Sequence, residues 1–121
     1  MPKSLLLIVE DDGLIRMDLV DMLTDAGFRV LDAGNADQAL AILEREPAIA
    51  ALMTDIDMPG SMNGLRLAQH TAKHWPDCKI IVISGRYSPM QGSMPEGALF
   101  LSKPISEIDL EKALNRMEIA P

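Results

Sequence analysis

The sequence is poor in cysteine, aromatic residues and basic residues, and these shortages exclude several classes of protein. Cys78 is the single cysteine, so no disulfide can form within the chain, which fits a cytoplasmic protein. Aromatic residues make up 3% of the chain, while nine methionines are available to fill irregular gaps in a core. There are 11 Lys and Arg against 18 Asp and Glu, for a formal net charge of −7. Because phosphate contacts need clustered Lys and Arg, we expect no nucleic-acid binding by this chain.

Long apolar runs are also missing. The first run, Leu5 to Val9, has five residues and is followed at once by three acidic residues. It is too short for a signal-peptide core and far too short to cross a membrane. Hydrophobic residues still make up 48% of the 121 residues, enough for the core of one ordinary domain. We therefore expect one soluble domain over residues 1–121, with no membrane association.

Five short segments rich in Val, Ile and Leu predict β-strands. The first, third and fourth contain almost no polar residue, which is typical of strands covered on both faces within a parallel sheet. The segments are Leu5–Val9, Phe28–Leu31, Ile49–Met53, Lys79–Ile83 and Ala98–Leu101.

Four segments with helical spacing of apolar residues alternate with these strands. Asn35 with Gln38, and Ser106 with Asp109, each form a capping-box pattern at the start of a helix. Glycine or proline follows the first three segments and marks their ends. The predicted helices cover residues 14–23 with a stop at Gly27, residues 36–46 before Pro47, Gly64–His74, and residues 107–117.

This alternation predicts an α/β fold, with a doubly wound parallel sheet and helices on both of its faces. The connection between the fourth and fifth strands is the exception. Two prolines and three glycines lie between Ile83 and Ala98, and they disfavour a regular helix. We therefore predict that the helix at this position is short or replaced by a loop, over residues 85–97.

Charged residues stand where the predicted strands end. The first strand is followed by Glu10 and Asp11, the third by Asp55 and the fifth by Lys103. In a parallel sheet these ends share one edge, which is where open α/β sheets bind ligands. Two carboxylates ~4 Å apart repel each other by on the order of 4 kcal/mol at an effective dielectric near 20, so a cation is needed. Carboxylate, carbonyl and water oxygens are the ligands that suit Mg²⁺.

A divalent cation and a lysine around one aspartate are suited to phosphoryl transfer. They neutralise charge on the transferring oxygens, and an aspartate can form an acyl phosphate. Four motifs at the strand ends then resemble the receiver domains of response regulators, along essentially the whole chain. Each motif is weak alone, but all four occur in order and at the right strand ends. They are Val9–Asp12, Asp55–Pro59 continuing through Asn63–Gly64, Ser84–Gly85, and Phe100–Pro104.

The resemblance implies a five-stranded, flavodoxin-like sheet of order 2-1-3-4-5 and a Mg²⁺ site. Asp55 would accept the phosphoryl group, and Lys103 would contact it. Asp11 would bind Mg²⁺ directly together with Asp55, while Glu10 would bind it through water. The backbone carbonyl of Asp57 would complete the protein ligands.

The resemblance also implies a conformational switch. Ser84 would reorient to hydrogen-bond the phosphoryl group, and Phe100 would follow it inward. The bond between Lys103 and Pro104 is the place of a cis peptide in this family. Because three acidic residues stand in a row, Asp12 remains an alternative to Asp11 as the direct metal ligand.

Receivers obtain their phosphoryl group from a sensor histidine kinase or a histidine phosphotransfer protein, and we expect such a partner here. The downstream effector is left open, and we expect a monomer or weak dimer. Two departures from the family are visible. The loop from Asp55 to Gly64 is one residue longer than its commonest form, and the stretch from Ser84 to Lys103 is shorter. The second departure touches the usual output face, so the family's effector contacts are not carried over.

Two other functions remain open from the residues. Asp55-Ile56-Asp57 resembles the nucleophile motif of haloacid-dehalogenase-type phosphatases, although Met58-Pro59 follows and a cap domain has no room. The chain could instead be a binding module that kept the receiver fold without phosphorylation.

Three further residues could bind metal or react, but the sequence favours a surface role for the two histidines and a structural role for the cysteine. His70 and His74 are four apart, a spacing that can bind metal, yet the sequence offers no third ligand. Cys78 precedes an apolar strand and is expected to be an inert thiol.

Overall fold

The computed structural model of the protein describes residues 4–46, 48–58, 60, 62–85 and 94–121. Its elements, in chain order, are β1 (Leu5–Val9), α1 (Gly13–Asp25), β2 (Arg29–Ala33), α2 (Ala36–Arg45), β3 (Ala51–Asp55), α3 (Gly64–His74), β4 (Lys79–Ser84), β5 (Leu99–Ser102) and α4 (Glu107–Arg116).

The five strands form one parallel sheet in the order β2-β1-β3-β4-β5, as predicted. Alternate residues of each strand point to opposite faces of the sheet, so two separate apolar cores form. One core packs β1, β3 and β4 against α2 and α3, and the other packs them against α1 and α4. The predicted α/β architecture with helices on both faces is confirmed.

The strands agree with the sequence prediction in place but differ at their ends. β1 has the predicted five residues, whereas β3 begins two residues later than predicted and extends to Asp55, and β4 extends to Ser84. The extension follows from pairing between neighbours, since Asp55 is aligned with Ile83, and Ser84 with Ser102. Two residues expected just beyond the strands are therefore held within the hydrogen-bonded ladder.

The helix ends follow the predicted caps, with one correction. Ser106 and Asp109 form the expected reciprocal capping box at the start of α4. Asn35 caps α2 by accepting a hydrogen bond from the Gln38 N–H at 2.9 Å. The Gln38 side chain does not return to Asn35, however, because its Oε1 accepts the N–H of Gly34 at 2.8 Å. The loop before α2 is thereby fixed one residue earlier than the sequence predicts.

The prediction of no regular helix over residues 85–97 falls mostly on residues 86–93, which lie outside the described residues. After this gap, residues 94–98 lead into β5 through a turn, in which the Ala98 N–H donates to Pro95 O at 3.1 Å. Gly97 adopts a positive φ of 83° in this turn. In the described part of the chain, no helix has the length and apolarity needed to cross a membrane.

Gly64, the first residue of α3, allows the helix to start against the backbone of Asp55. Its N–H donates to Ile56 O at 2.9 Å. A Cβ at this position would lie 1.6 Å from Asp55 O and 2.9 Å from Thr54 Oγ1. Only glycine fits this approach, because the nearest blocking atom belongs to the backbone.

We predict that Gly64→Ala lowers the free energy of unfolding by about 3 kcal/mol or more, since the added methyl group must displace either α3 or the end of β3. Gly13→Ala is the matched control, because Gly13 also begins a helix and its Cβ would meet no atom closer than 4.0 Å. That variant should change stability by ~1 kcal/mol at most. Urea unfolding curves measure both. Equal stability of the two variants would contradict the packing at Gly64.

Cys78 gives a second prediction. Its side chain is buried, and burial raises the pKa of the thiol to about 11. Only roughly one thiol in a thousand is then ionised at pH 8, and the thiolate is the reactive form. We expect iodoacetamide to label Cys78 very slowly in the native protein and rapidly in urea, as measured by mass spectrometry. Rapid labelling in the native state would show that the thiol is exposed.

Candidate functional site

The carboxyl ends of β1, β3, β4 and β5 bring the predicted site residues to one edge of the sheet. Glu10 follows β1, Asp55 ends β3, Ser84 ends β4, and Lys103 follows β5. These four strands are consecutive neighbours in the sheet. Residues separated by up to 93 positions in the sequence therefore meet, as expected for the ligand-binding edge of an open α/β sheet.

Three carboxylates form a compact acidic cluster at this edge. Glu10, Asp11 and Asp55 each offer an oxygen, and these oxygens lie within 4.8 Å of one another. Within the described residues this is the one group of three potential metal ligands. Glu10 and Asp55 are buried, with 1% and 4% of their surface exposed, whereas Asp11 is exposed. The cluster is thus open to solvent on the side of Asp11.

The ammonium group of Lys103 joins the two buried carboxylates. Its Nζ lies 2.6 Å from Glu10 Oε1 and 3.3 Å from Asp55 Oδ2. Burial lowers the pKa of Lys103, but Glu10 and Asp55 outweigh this effect, and the net pKa is raised above its ordinary value. Lys103 is therefore a permanent cation beside Asp55 at neutral pH.

Asp11 responds to the same crowding of negative charge. Its pKa is raised, first by burial and then by the adjacent Glu10 carboxylate. Lys103 lowers the pKa of Asp11 as well, but too weakly to cancel the rise. One lysine thus leaves uncompensated negative charge on the open side of the cluster, where a cation would be attracted.

The side chain of Asp12 caps helix α1, whereas those of Glu10 and Asp11 belong to the acidic cluster. Asp12 is the N-cap of α1, and its Oδ1 accepts the N–H groups of Leu14 at 2.9 Å and Ile15 at 3.2 Å. Its own N–H donates to Glu10 Oε2 at 3.1 Å. This geometry favours Asp11 over Asp12 as the direct metal ligand, because capping engages the Asp12 carboxylate.

The remaining predicted residues lie in or just beyond β3, β4 and β5. Ser84 is buried at the end of β4, and its carbonyl accepts the N–H of Lys103 at 3.1 Å. Phe100 is half-buried in β5 and packs against the core formed with α2 and α3. Asp57 is exposed beyond β3, and its role as a carbonyl ligand remains a prediction. The peptide bond between Lys103 and Pro104 is cis, as the resemblance implied.

Sequence reasoning missed one residue beside the site. Arg16 in α1 donates through its Nη1 to the backbone carbonyl of Glu10 at 2.8 Å. It also pairs through Nε with Asp32 Oδ2 at 2.9 Å. Only its position six residues after Glu10 in the first turns of a helix could have suggested this contact, because a backbone acceptor leaves no trace in the sequence.

The histidine pair on α3 stands apart from the acidic cluster. The rings of His70 and His74 lie 4.2 Å apart, centroid to centroid, and both are near Trp75. No group of three potential ligands in the described part of the chain includes either histidine. A surface role, as expected from the sequence, remains the simplest interpretation.

Known proteins share both the sequence pattern and the fold. The response regulator receiver domain model matches residues 6–115. The response regulator receiver protein CpdR of Brucella abortus is 37% identical over 119 residues, which are 95% of this chain and 97% of that protein. The sensor protein TorS of Escherichia coli is 34% identical over 79 residues, 65% of this chain, but this chain spans only 8% of TorS.

Solved structures agree with this match. A CheY-like receiver domain from Methanospirillum hungatei superposes with a TM-score of 0.87 at 29% identity, covering 95% of this chain and 93% of that one. The response regulator TrrA of Thermotoga maritima, solved in complex with Mg²⁺ and BeF, gives a TM-score of 0.82 at 26% identity, covering 94% of this chain and 98% of that one. The motifs, the sheet order and these relatives together show that the chain belongs to the response regulator receiver domain family. Members of this family are the phosphoaccepting modules of two-component signalling.

Proposed function

We propose that this chain takes a phosphoryl group from a phosphohistidine donor onto Asp55, with Mg²⁺ bound beside it. The observation that carries the proposal is the position of Lys103. Its ammonium lies 3.3 Å from an oxygen of Asp55, while Glu10 and Asp11 complete an acidic cluster around the same carboxylate. A nucleophile, a fixed cation and a metal-type donor set therefore occur together at one open edge.

The donor set fits Mg²⁺. All three side chains offer carboxylate oxygens, which are the hard ligands that this ion prefers, and their open side leaves room for water. Asp11 and Asp55 would bind the ion directly, with Glu10 through water and Asp57 through its backbone carbonyl. When bound, Mg²⁺ would neutralise charge on the oxygens of the transferring phosphoryl group. The relative TrrA was solved in complex with Mg²⁺ and BeF, which supports a Mg²⁺ site in this chain.

Asp55 and Lys103 would have separate roles in phosphoryl transfer. A carboxylate oxygen of Asp55 attacks phosphorus, the P–N bond to the donor imidazole breaks, and its electron pair stays on that nitrogen. Lys103 is placed to bind an oxygen of the transferring group, since its ammonium is already beside Asp55. A short movement away from Glu10 would bring the ammonium to a phosphoryl oxygen, and a charge held this close to the reacting group stabilises the transition state effectively.

Ser84 and Phe100 would report the phosphorylated state. Ser84 ends the strand next to β3, and its hydroxyl would turn to hydrogen-bond a phosphoryl oxygen. Phe100 lies on β5, the next strand along, and is half-buried, so it would become more buried if it followed Ser84 inward. The partner expected for transfer is a sensor histidine kinase or a histidine phosphotransfer protein.

Asp55→Asn tests the acceptor. Acetyl phosphate with Mg²⁺ should add one acid-labile phosphoryl group to the natural protein and none to this variant, because an amide cannot form the acyl phosphate. EDTA should suppress labelling. Asp12→Asn is the matched control and should be labelled normally, since asparagine caps helices as well as aspartate does. Phos-tag gels measure all three proteins.

The outcomes separate the alternatives. Labelling of Asp55→Asn at the natural level would disprove the assignment of the acceptor. A natural protein that is never labelled would favour a binding module without phosphorylation. Steady hydrolysis of varied phosphomonoesters would favour a phosphatase of the haloacid-dehalogenase type.

Lys103→Met tests the cation. We expect phosphorylation by acetyl phosphate to slow by roughly 100-fold, because methionine of similar length carries no charge for the phosphoryl oxygens. The same change should tighten Mg²⁺ binding, since it removes a competing positive charge beside Glu10 and Asp55. Lys112→Met, on the exposed face of α4, should alter neither property. Natural phosphorylation rates in Lys103→Met would remove this lysine from the mechanism, and unchanged Mg²⁺ affinity would contradict the competition.

A further inference from the structure

Arg16 links the residues that follow β1 to strand β2. Its side chain reaches from the second turn of α1 across the end of β1 to Asp32 in β2. On the way, its Nη1 donates to the carbonyl oxygen of Glu10 at 2.8 Å. This carbonyl belongs to the peptide that joins Glu10 to Asp11, the two acidic residues after β1.

The backbone of Glu10 is thereby held on both sides. Its N–H donates to Ala33 O at 3.1 Å, and its carbonyl accepts from Arg16. The N–H belongs to the Val9–Glu10 peptide and the carbonyl to the Glu10–Asp11 peptide, so the hydrogen bond from Arg16 restrains the second of these two planes. This plane carries the backbone nitrogen of Asp11, so turning the plane would displace the Asp11 carboxylate.

The surroundings are fitted to the guanidinium group. Gly34 lies under it, where a Cβ would approach Nη1 to 3.2 Å. The N–H of Gly34 is in turn held by Gln38 Oε1 at 2.8 Å. The loop after β2 is therefore hydrogen-bonded to α2, and Gly34 in this loop packs against the guanidinium group of Arg16.

The ion pair between Arg16 and Asp32 alone would contribute little to the stability of this arrangement. Asp32 keeps 48% of its side chain exposed, and ion pairs with exposed partners contribute little to stability. The side chain of Arg16 is only 26% exposed, and its contact with Glu10 O is a hydrogen bond from a charged donor to an uncharged acceptor. An arginine spans both acceptors, whereas lysine has a single ammonium and cannot keep both in the same geometry.

We infer that Arg16 is a positioning residue for the metal-binding acidic pair, which it sets by fixing the Glu10–Asp11 peptide. The inference rests on the proposed Mg²⁺ site. Electrostatics alone would predict that removing the positive charge of Arg16 strengthens the binding of Mg²⁺. The inference predicts the opposite, because loss of positioning should weaken Mg²⁺ binding.

The test is calorimetric titration of Mg²⁺ into the natural chain and three variants. Arg16→Met should bind Mg²⁺ at least fivefold more weakly despite its lost positive charge. Arg16→Lys keeps the charge and should also bind more weakly, by a smaller factor. Asp32→Asn is the matched control: asparagine still offers an oxygen to Arg16 Nε, so the affinity should stay within twofold of the natural value. The amide signal of Asp11 in a nitrogen–proton correlation spectrum should move in both Arg16 variants.

The outcomes are distinguishable. Arg16 variants that bind Mg²⁺ as tightly as the natural chain, or more tightly, would overturn the inference and leave the Mg²⁺ site intact. Failure of the natural chain itself to bind Mg²⁺ would overturn the proposed function as well. If Arg16→Met does not fold, Arg16→Lys still decides, because unchanged affinity and an unmoved Asp11 signal in that variant contradict positioning.

Discussion

The contact of Lys103 with Glu10 and Asp55 is the interaction on which the site depends. Two carboxylates are almost fully buried here, and an uncompensated buried charge costs on the order of several kcal/mol. The ammonium satisfies both, at 2.6 Å and 3.3 Å. It offsets only part of the charge, however, because Asp11 adds a third carboxylate. One ammonium among three carboxylates therefore leaves negative charge that would favour a bound cation.

This balance requires a rigid edge, which the fold supplies. A side chain on a flexible loop would relax away from its repelling neighbours, whereas Asp55 is the last ladder residue of β3. Gly64 lets α3 begin directly against the Asp55 carbonyl, so the backbone there is supported from outside the sheet. Repulsion among the carboxylates is thus retained, and a bound cation would relieve it.

Most of the fold and much of the site could be predicted from the sequence, since both follow from local patterns. The uninterrupted apolar residues of β1 and the capping box at Ser106 led to the observed elements directly. The extension of β3 to Asp55 could not be predicted, because it depends on pairing with Ile83 in a distant strand. The choice between Asp11 and Asp12 depended on where α1 begins, and the contact of Arg16 depended on a backbone oxygen.

A crystal structure of the chain with Mg²⁺ and beryllofluoride would test the account most directly. We predict one metal ion bound by oxygens of Asp11 and Asp55 at about 2.1 Å, the distance usual for Mg²⁺. The beryllium should be bonded to a carboxylate oxygen of Asp55, with Lys103 Nζ turned from Glu10 toward a fluorine. Metal bound elsewhere, or beryllofluoride attached to another carboxylate, would contradict the account.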